Sequence, residues 1–197
     1  MKIFDISQEL FSCVVFPGDP APERNVLNSI DAGDLYNLTA LSMCAHNGTH
    51  VDAPSHFIKN GKTIDKIDLS KLIGEAYVAD FSGNVSAEDA KLILSKAAAI
   101  SPESAKRILL KGKTTVTLEA AKVFAESGVY LVGNESQTVG PEDTPLQVHL
   151  TLLGAEVVLL EGIRLSHVPY GVYLLNAAPI NLGSAEGAPC RAVLIKL

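Results

Sequence analysis

The order of apolar and polar positions predicts a chain of short strands interrupted by helices. Continuous apolar runs, typical of strands covered on both faces, occur at Val157–Leu160 and Ala192–Ile195. Apolar and alternating segments predict further strands at Tyr36–Ala45, Tyr77–Phe81, Ile108–Leu110, Val129–Val132 and Tyr173–Asn176. The first of these would lead directly into a segment rich in histidine.

Two helices are predicted in the middle of the chain from their N-terminal caps. Ser86 precedes acidic residues and an apolar pattern that continues to about Ala99. Thr117 caps residues 118–127, and Gly128 follows where a helix end favours a left-handed residue. Helices that alternate with strands, between strand-rich ends, predict an α/β fold with a mixed sheet and flanking helices. We expect a single domain over residues 1–197.

Composition and charge exclude several classes of function. A hydrophobic content of 47% and a charged content of 19% are typical of a globular protein. The net charge of −6 argues against binding to a nucleic-acid backbone. No apolar run approaches the roughly 18 residues of a membrane helix. The first residues do not resemble a signal peptide, and three widely spaced cysteines do not suggest a disulfide framework. We therefore expect a cytoplasmic protein with neither nucleic-acid nor membrane partners.

Histidine is concentrated in one segment. Three of the five histidines lie within residues 46–56, together with a carboxylate. Gly48 and Pro54 disfavour a continuous helix there. In an extended chain, alternate side chains share a face. Four residues of equal parity would then point the same way: His46, His50, Asp52 and His56.

This combination of side chains indicates a metal site. Two imidazoles and a carboxylate are a usual ligand set for zinc or manganese, and they leave coordination positions open for water. A polar surface loop would explain a single histidine, but it does not explain a cluster with common parity.

The segment H-x-G-T-H-x-D-x-P-x-H at residues 46–56, followed by Phe57, resembles the signature of the cyclase family of metal-dependent hydrolases. That family includes bacterial kynurenine formamidase and isatin hydrolase. Weaker matches extend the resemblance along most of the chain, at residues 16–19, 61–65 and 189–192. The resemblance implies a fold similar to the swivelling β/β/α cyclase-family fold, and a homodimer or homotetramer.

The resemblance also implies a site with two divalent metal ions, zinc before manganese. By position, His46, His50 and Asp52 correspond to the ligands of the first metal, and Asp52 also bridges to the second. His149 and Glu161 have the separation that the family shows for the remaining ligands of the second metal.

The implied activity is hydrolysis of a small aryl-formamide or related amide by a metal-activated water. His56 corresponds to the residue that donates and accepts the proton. Phe16 stands where the family has a tryptophan that holds the kynurenine ring, and it keeps an apolar face while losing the indole donor. In the segment 133–140, Gly140 stands where relatives often carry an acid.

Two alternatives remain open from the sequence. One is the opening of a cyclic amide of the isatin type, with the same metals and the same proton-transfer group. The other is a metal-binding or ligand-sensing module without turnover, against which the non-ligand His56 argues.

Overall fold

The computed structural model describes residues 1–196, which contain thirteen strands and three α-helices. The helices are α1 (Ala87–Ile100), α2 (Leu118–Glu126) and α3 (Leu146–Gly154). The strands are β1 (Lys2–Asp5), β2 (Glu23–Asn28), β3 (Leu38–Ser42), β4 (His50–Asp52), β5 (Ile73–Asp80), β6 (Gly83–Val85), β7 (Arg107–Lys111), β8 (Thr114–Val116), β9 (Leu131–Asn134), β10 (Val158–Glu161), β11 (Gly171–Asn176), β12 (Gly187–Pro189) and β13 (Val193–Lys196).

Nine strands form one mixed sheet in the order β1-β13-β11-β5-β7-β9-β10-β4-β12. The four central strands β5, β7, β9 and β10 run parallel to one another, and the flanking strands pair antiparallel. Two further two-stranded sheets join β2 to β3 and β6 to β8. The mixed sheet with its helices confirms the predicted α/β class.

Alternation along the central strands creates a hydrophobic core on each face of the sheet. Ile108 and Leu110 pack in the core that includes the three helices, whereas Leu109 between them packs in the other core. That second core also contains Phe4 and Leu194 from the opposite end of the strand order. The sheet therefore curls so that its outer strands cover part of its own face.

Both predicted helices are confirmed, with their caps. Ser86 and Asp89 form a capping box at α1, in which the Asp89 amide donates to Ser86 Oγ at 3.2 Å. At α2 the Ala120 amide donates to Thr117 Oγ1 at 3.2 Å. Gly128, two residues beyond the end of α2, has a φ of 66°, the left-handed conformation predicted for it.

The predicted strand at 36–45 is only partly correct. The regular strand is confined to Leu38–Ser42, and it pairs with β2 in a hairpin rather than with the main sheet. The chain then turns before β4 instead of running straight into the histidines. Apolar alternation indicates an extended strand, but it carries no information about which strand will be its partner.

One functionally important element, α3, had no signal in the sequence pattern. It begins after Pro145 without a side-chain cap. Its polar residues Gln147, His149 and Thr151 do not gather on one side, so it lacks the polar face that marks an amphipathic helix. Across residues 1–196, no helix has both the length and the apolar character needed to cross a membrane. All three cysteines are free thiols.

Candidate metal centre

Strands β4 and β10 are neighbours and supply three of the predicted site residues. Their antiparallel register places Glu161 opposite His50, and Leu159 opposite Asp52. Val51 points into the core on the face away from the helices. Because side chains alternate across a strand, His50 and Asp52 share the face toward the helices. Strand pairing thus brings two carboxylates and an imidazole to one place.

His46 reaches the same place from a turn that precedes β4. Gly48 has a φ of 67°, a left-handed conformation that favours glycine. The turn returns the chain so that His46 Nδ1 lies 2.8 Å from Asp52 Oδ1. The prediction of one extended segment is therefore wrong outside residues 50–52. His56 lies at the end of a short 3-10 helix, Pro54–His56, because proline favours the first position of a helical turn.

Helix α3 supplies the remaining predicted residue, His149. Its side chain is buried, with Nε2 3.4 Å from Glu161 Oε1 and 3.8 Å from Asp52 Oδ2. His50 Nε2 lies 3.4 Å from Asp52 Oδ1 and 3.5 Å from Glu161 Oε2. All five residues proposed as metal ligands from the sequence are thus brought together.

Except for the His46 Nδ1–Asp52 Oδ1 pair at 2.8 Å, the separations of these atoms suit metal ligands better than hydrogen-bonded pairs. N–H···O hydrogen bonds have a usual length of about 2.9–3.0 Å. Ligands held tetrahedrally at about 2.1 Å from a zinc ion are roughly 3.4 Å apart. The side chains form two groups, His46 with His50 and Asp52, and Asp52 with His149 and Glu161. In each group the ligand atoms lie within 4.8 Å of one another.

One atom of Asp52 is placed as a cation ligand would be. Oδ2 is buried, and no atom of residues 1–196 forms a hydrogen bond with it. A buried oxygen without a partner costs about 1–3 kcal/mol, and more if it is charged. A cation between Asp52 and His149 would remove that cost, so the donor set and its geometry fit a metal ion.

The pKa shifts reflect concentrated negative charge in a buried site. Burial lowers the pKa of His50, but hydrogen bonds and charges from Asp52 and Glu161 outweigh it and raise that pKa to about 10. Burial raises the pKa of Asp52, but hydrogen bonds to His46 and His50 hold it well below its usual range. The acidic surroundings favour a positive charge on these imidazoles, and a bound metal ion would take the place of the proton.

His56 and Phe16 line a cavity beside these groups. The cavity has a volume of about 230 Å³, and its wall also includes Asp19, Phe57, Gln137 and Pro145. The His56 ring stacks on that of His46, with 4.1 Å between centroids, and belongs to neither ligand group. Burial lowers the pKa of His56, outweighing the charge of Asp52, so its imidazole favours the neutral form.

The segment 133–140 contributes to the site even though Gly140 lacks an acid. Gln137 lies on the cavity wall and donates from Nε2 to the Gly48 carbonyl at 3.1 Å. The Val139 amide donates to Glu161 Oε1 at 2.8 Å and so helps to orient that carboxylate. Glu135 instead accepts hydrogen bonds from two loop amides, which gives it a structural role.

Sequence reasoning missed Gln137 and a second residue, Glu186, whose Oε1 lies 3.3 Å from His46 Nε2. Gln137 lies in the loop after β9, and β10 lies between β9 and β4 in the sheet. Glu186 directly precedes β12, which pairs with β4. The match at residues 189–192 was the only nearby signal in the sequence, and it did not include Glu186.

A family model described as “Putative cyclase” matches residues 4–141, more than half of the chain. The chain belongs to the cyclase family. Kynurenine formamidase from Salinibacter ruber is 32% identical over 210 residues, covering 98% of this chain and 97% of that protein. Kynurenine formamidase from Bacillus anthracis is 33% identical over 207 residues, with the same coverage of 98% and 97%.

Solved structures agree with this assignment. A potential metal-dependent hydrolase with cyclase activity superposes with a TM-score of 0.80 at 26% identity, covering 98% of this chain and 96% of that chain. Isatin hydrolase A from Labrenzia aggregata gives a TM-score of 0.80 at 21% identity, with coverage of 98% and 93%, which shows a shared fold. The predicted family and fold are therefore confirmed, and the protein is a cyclase-family metal-dependent hydrolase.

Proposed function

We propose that the protein is a binuclear metal-dependent amidase that hydrolyses a small aryl-formamide, and that residues 1–197 form one catalytic domain. The observation that carries the proposal is the position of Asp52, whose two oxygens face two different groups of ligands. Relatives named kynurenine formamidase, at 32–33% identity over almost the whole chain, supply the class of substrate.

In this proposal the two oxygens of Asp52 would serve different ions. His46, His50 and Asp52 Oδ1 would hold one ion, while His149, Glu161 and Asp52 Oδ2 would hold the other. Imidazole and carboxylate ligands accept zinc and manganese, and zinc is the first choice. Divalent ions bound there would lower the pKa of a coordinated water and polarise the carbonyl of the substrate.

His56 is the proposed acid–base group. It lies half-buried on the cavity wall, outside both ligand groups, and its lowered pKa favours a ring nitrogen that is free to accept a proton. That nitrogen would take a proton from the attacking water as the new C–O bond forms. It would return the proton to the amide nitrogen as the C–N bond breaks, releasing a carboxylate and an amine.

Phe16 is the proposed contact for the aromatic part of the substrate. Phe16 and Phe57 both line the small cavity that His56 shares. Aromatic faces bind another aromatic ring in offset or edge-to-face arrangements. A cavity of about 230 Å³ favours a small substrate over a peptide.

The proposal is tested by metal analysis combined with a panel of amides. Protein purified without added metal should contain zinc, and a strong chelator should abolish its hydrolysis of N-formylkynurenine. Hydrolysis of isatin without hydrolysis of the formamide would replace the proposal with cyclic-amide opening. Stoichiometric metal without turnover of either substrate would support a binding or sensing module instead.

We also propose that the protein forms a homodimer or homotetramer, as the family resemblance implies. The hairpin of β2 and β3 lies outside the main sheet and exposes large apolar side chains. They are Val26, Leu27, Ile30, Leu35, Tyr36, Leu38 and Leu41. A concentration of exposed apolar surface on one projecting hairpin supports an interface with a second copy of the chain.

A further inference from the structure

Each histidine of the two ligand groups has one ring nitrogen that faces the site and one that faces a supporting acceptor. His50 Nδ1 lies 3.1 Å from the Gly48 carbonyl, and His149 Nδ1 lies 2.9 Å from the Pro145 carbonyl. Protonation of Nδ1 lets it donate to these acceptors, which leaves Nε2 free to bind a metal.

His46 is oriented the other way round. Its Nδ1 faces Asp52 Oδ1 at 2.8 Å, so the nitrogen available to its support is Nε2. Nε2 lies 3.3 Å from Glu186 Oε1, a side-chain carboxylate rather than a backbone carbonyl. A carboxylate is the stronger acceptor, and it makes the opposite ring nitrogen a more basic ligand.

The backbone around Glu186 holds this contact in place. The Ala53 amide donates to the Glu186 carbonyl at 2.8 Å, which ties residue 186 to the chain just after β4. The next residue, Gly187, lies directly against the imidazole, because an added Cβ would be 2.7 Å from His46 Cε1. His46 is thus fixed between the backbone of β12 on one side and the ring of His56 on the other.

We propose that Glu186 is a positioning residue for His46, an inference that rests on the proposed metal site. With Nε2 protonated and donating to Glu186, the Nδ1 lone pair of His46 would be free to bind an ion together with His50 and Asp52. Glu186 itself remains outside the coordination sphere, and 47% of its side chain is exposed. In this proposal His46, in the first ligand group, is oriented by a side-chain carboxylate. His149, the histidine of the second group, is oriented by a backbone carbonyl instead.

Hydrogen-bond acceptors that orient metal-binding histidines have a known effect on metal affinity in other proteins. Removing an outer partner of a metal-binding histidine weakens metal affinity about 10–100-fold. Glu186→Ala should therefore weaken one of two zinc-binding events by about that factor and leave the other unchanged. Glu186→Gln keeps a neutral acceptor, so its effect should be smaller than that of alanine.

The experiment titrates metal-free protein with Zn²⁺ against a chromophoric chelator, using wild type, Glu186→Ala, Glu186→Gln and the exposed-surface control Glu126→Gln. The same titration on His46→Ala with and without Glu186→Ala forms a double-mutant cycle. We expect Glu126→Gln to match wild type and the loss from Glu186→Ala to vanish when His46 is absent. Circular dichroism spectra confirm that each variant is folded.

Unchanged zinc affinity in Glu186→Ala would overturn the proposal, as would a loss that persists in the His46→Ala background. A raised KM at unchanged zinc affinity would also overturn it, because the carboxylate would then contact substrate. Wild-type protein that binds zinc but hydrolyses no amide would refute the proposed activity and leave the role of Glu186 supported by the binding cycle. Wild-type protein that binds no zinc would refute both.

Discussion

The Nε2 atom of His149 lies 3.4 Å from the Oε1 atom of Glu161, although one residue belongs to a helix and the other to a strand. From His149 to the end of α3 at Gly154, the chain advances by about 8 Å. From Val158 to Glu161 it returns along β10 by about 10 Å. The two distances nearly cancel, so the separation between positions 149 and 161 brings both side chains back to the same end of the sheet.

Asp52→Asn should reduce zinc binding at both proposed sites, because Asp52 is the only member shared by the two groups. Glu161→Gln should reduce binding at one site alone. Equilibrium dialysis against limiting zinc, followed by elemental analysis, measures zinc per chain. Asp19→Asn, which alters a cavity-wall carboxylate outside both groups, is the matched control. Full wild-type zinc content in Asp52→Asn would contradict the bridging role.

His56→Ala should lower kcat by about 10²–10⁴-fold, the contribution usual for a general acid–base group. Zinc content should remain that of wild type, because His56 belongs to neither ligand group. Steady-state kinetics and elemental analysis on the same preparation test both statements. The exposed His167 provides a control, and His167→Ala should retain the wild-type rate. Loss of zinc from His56→Ala would show that the residue is a ligand.

Phe16→Ala should raise KM for an aryl-formamide by about 2–10-fold, the loss expected when one aromatic contact of about 0.5–1.5 kcal/mol is removed. An aliphatic formamide should show a smaller change, since it lacks the ring that Phe16 would contact. Comparing the two substrates in one kinetic series isolates the aromatic contribution. Phe11→Ala, outside the cavity wall, is the control. Equal effects on both substrates would argue against ring recognition.

Gly162→Ala should destabilise the protein more than Gly83→Ala, although both glycines have positive φ values, of 69° and 93°. A Cβ at residue 162 would lie 2.3 Å from Gln137 Oε1 and 2.4 Å from the Gly48 carbonyl, whereas at residue 83 it would meet nothing within 4 Å. The left-handed conformation alone costs alanine about 1–2 kcal/mol.

We expect the collision at Gly162 to add at least about 2 kcal/mol to the loss in unfolding free energy. Urea denaturation of the two variants, followed by fluorescence, gives the difference. Similar losses of unfolding free energy in both variants would contradict this prediction, because the loop that carries Gln137 would then move aside without destabilising the protein.

Charge on the projecting hairpin should disrupt the proposed oligomer. Leu35 is 96% exposed and Leu41 is 57% exposed, so neither side chain is needed for the fold of one chain. The double variant Leu35→Glu with Leu41→Glu should therefore be a monomer when its mass is measured by size-exclusion chromatography with light scattering. Ile100→Glu, at another exposed apolar position, should leave the mass unchanged. A monomeric wild type would refute the oligomer at once.

The sequence was most informative where the chemistry is local. The spacing of His46, His50 and Asp52 depends on one turn and one short strand, so a short motif contains most of what places them. The expectation that an extended chain would place His46 on the same face as Asp52 was nevertheless wrong. A left-handed glycine, rather than an extended chain, directs that side chain toward Asp52.

Contacts that depend on strand partners could not be predicted. Glu186 meets His46 because β12 pairs with β4 in one register, with Gly187 opposite Asp52. Periodicity assigns a residue to one face of a strand but does not select its neighbour across the sheet. Helix α3 was missed for a different reason, since an apolar segment without a polar face or a capping side chain shows no helical period.

The placement of β4 between β10 and β12 determines the order in which the proposed ligands come together during synthesis. β4 is synthesised long before β10, and β12 follows β10 along the chain. A nascent chain therefore carries the histidine run through most of translation without the carboxylate and imidazole that complete its charge and geometry. The two proposed ligand groups are therefore complete only after β10 and helix α3 have been made and β10 has paired with β4.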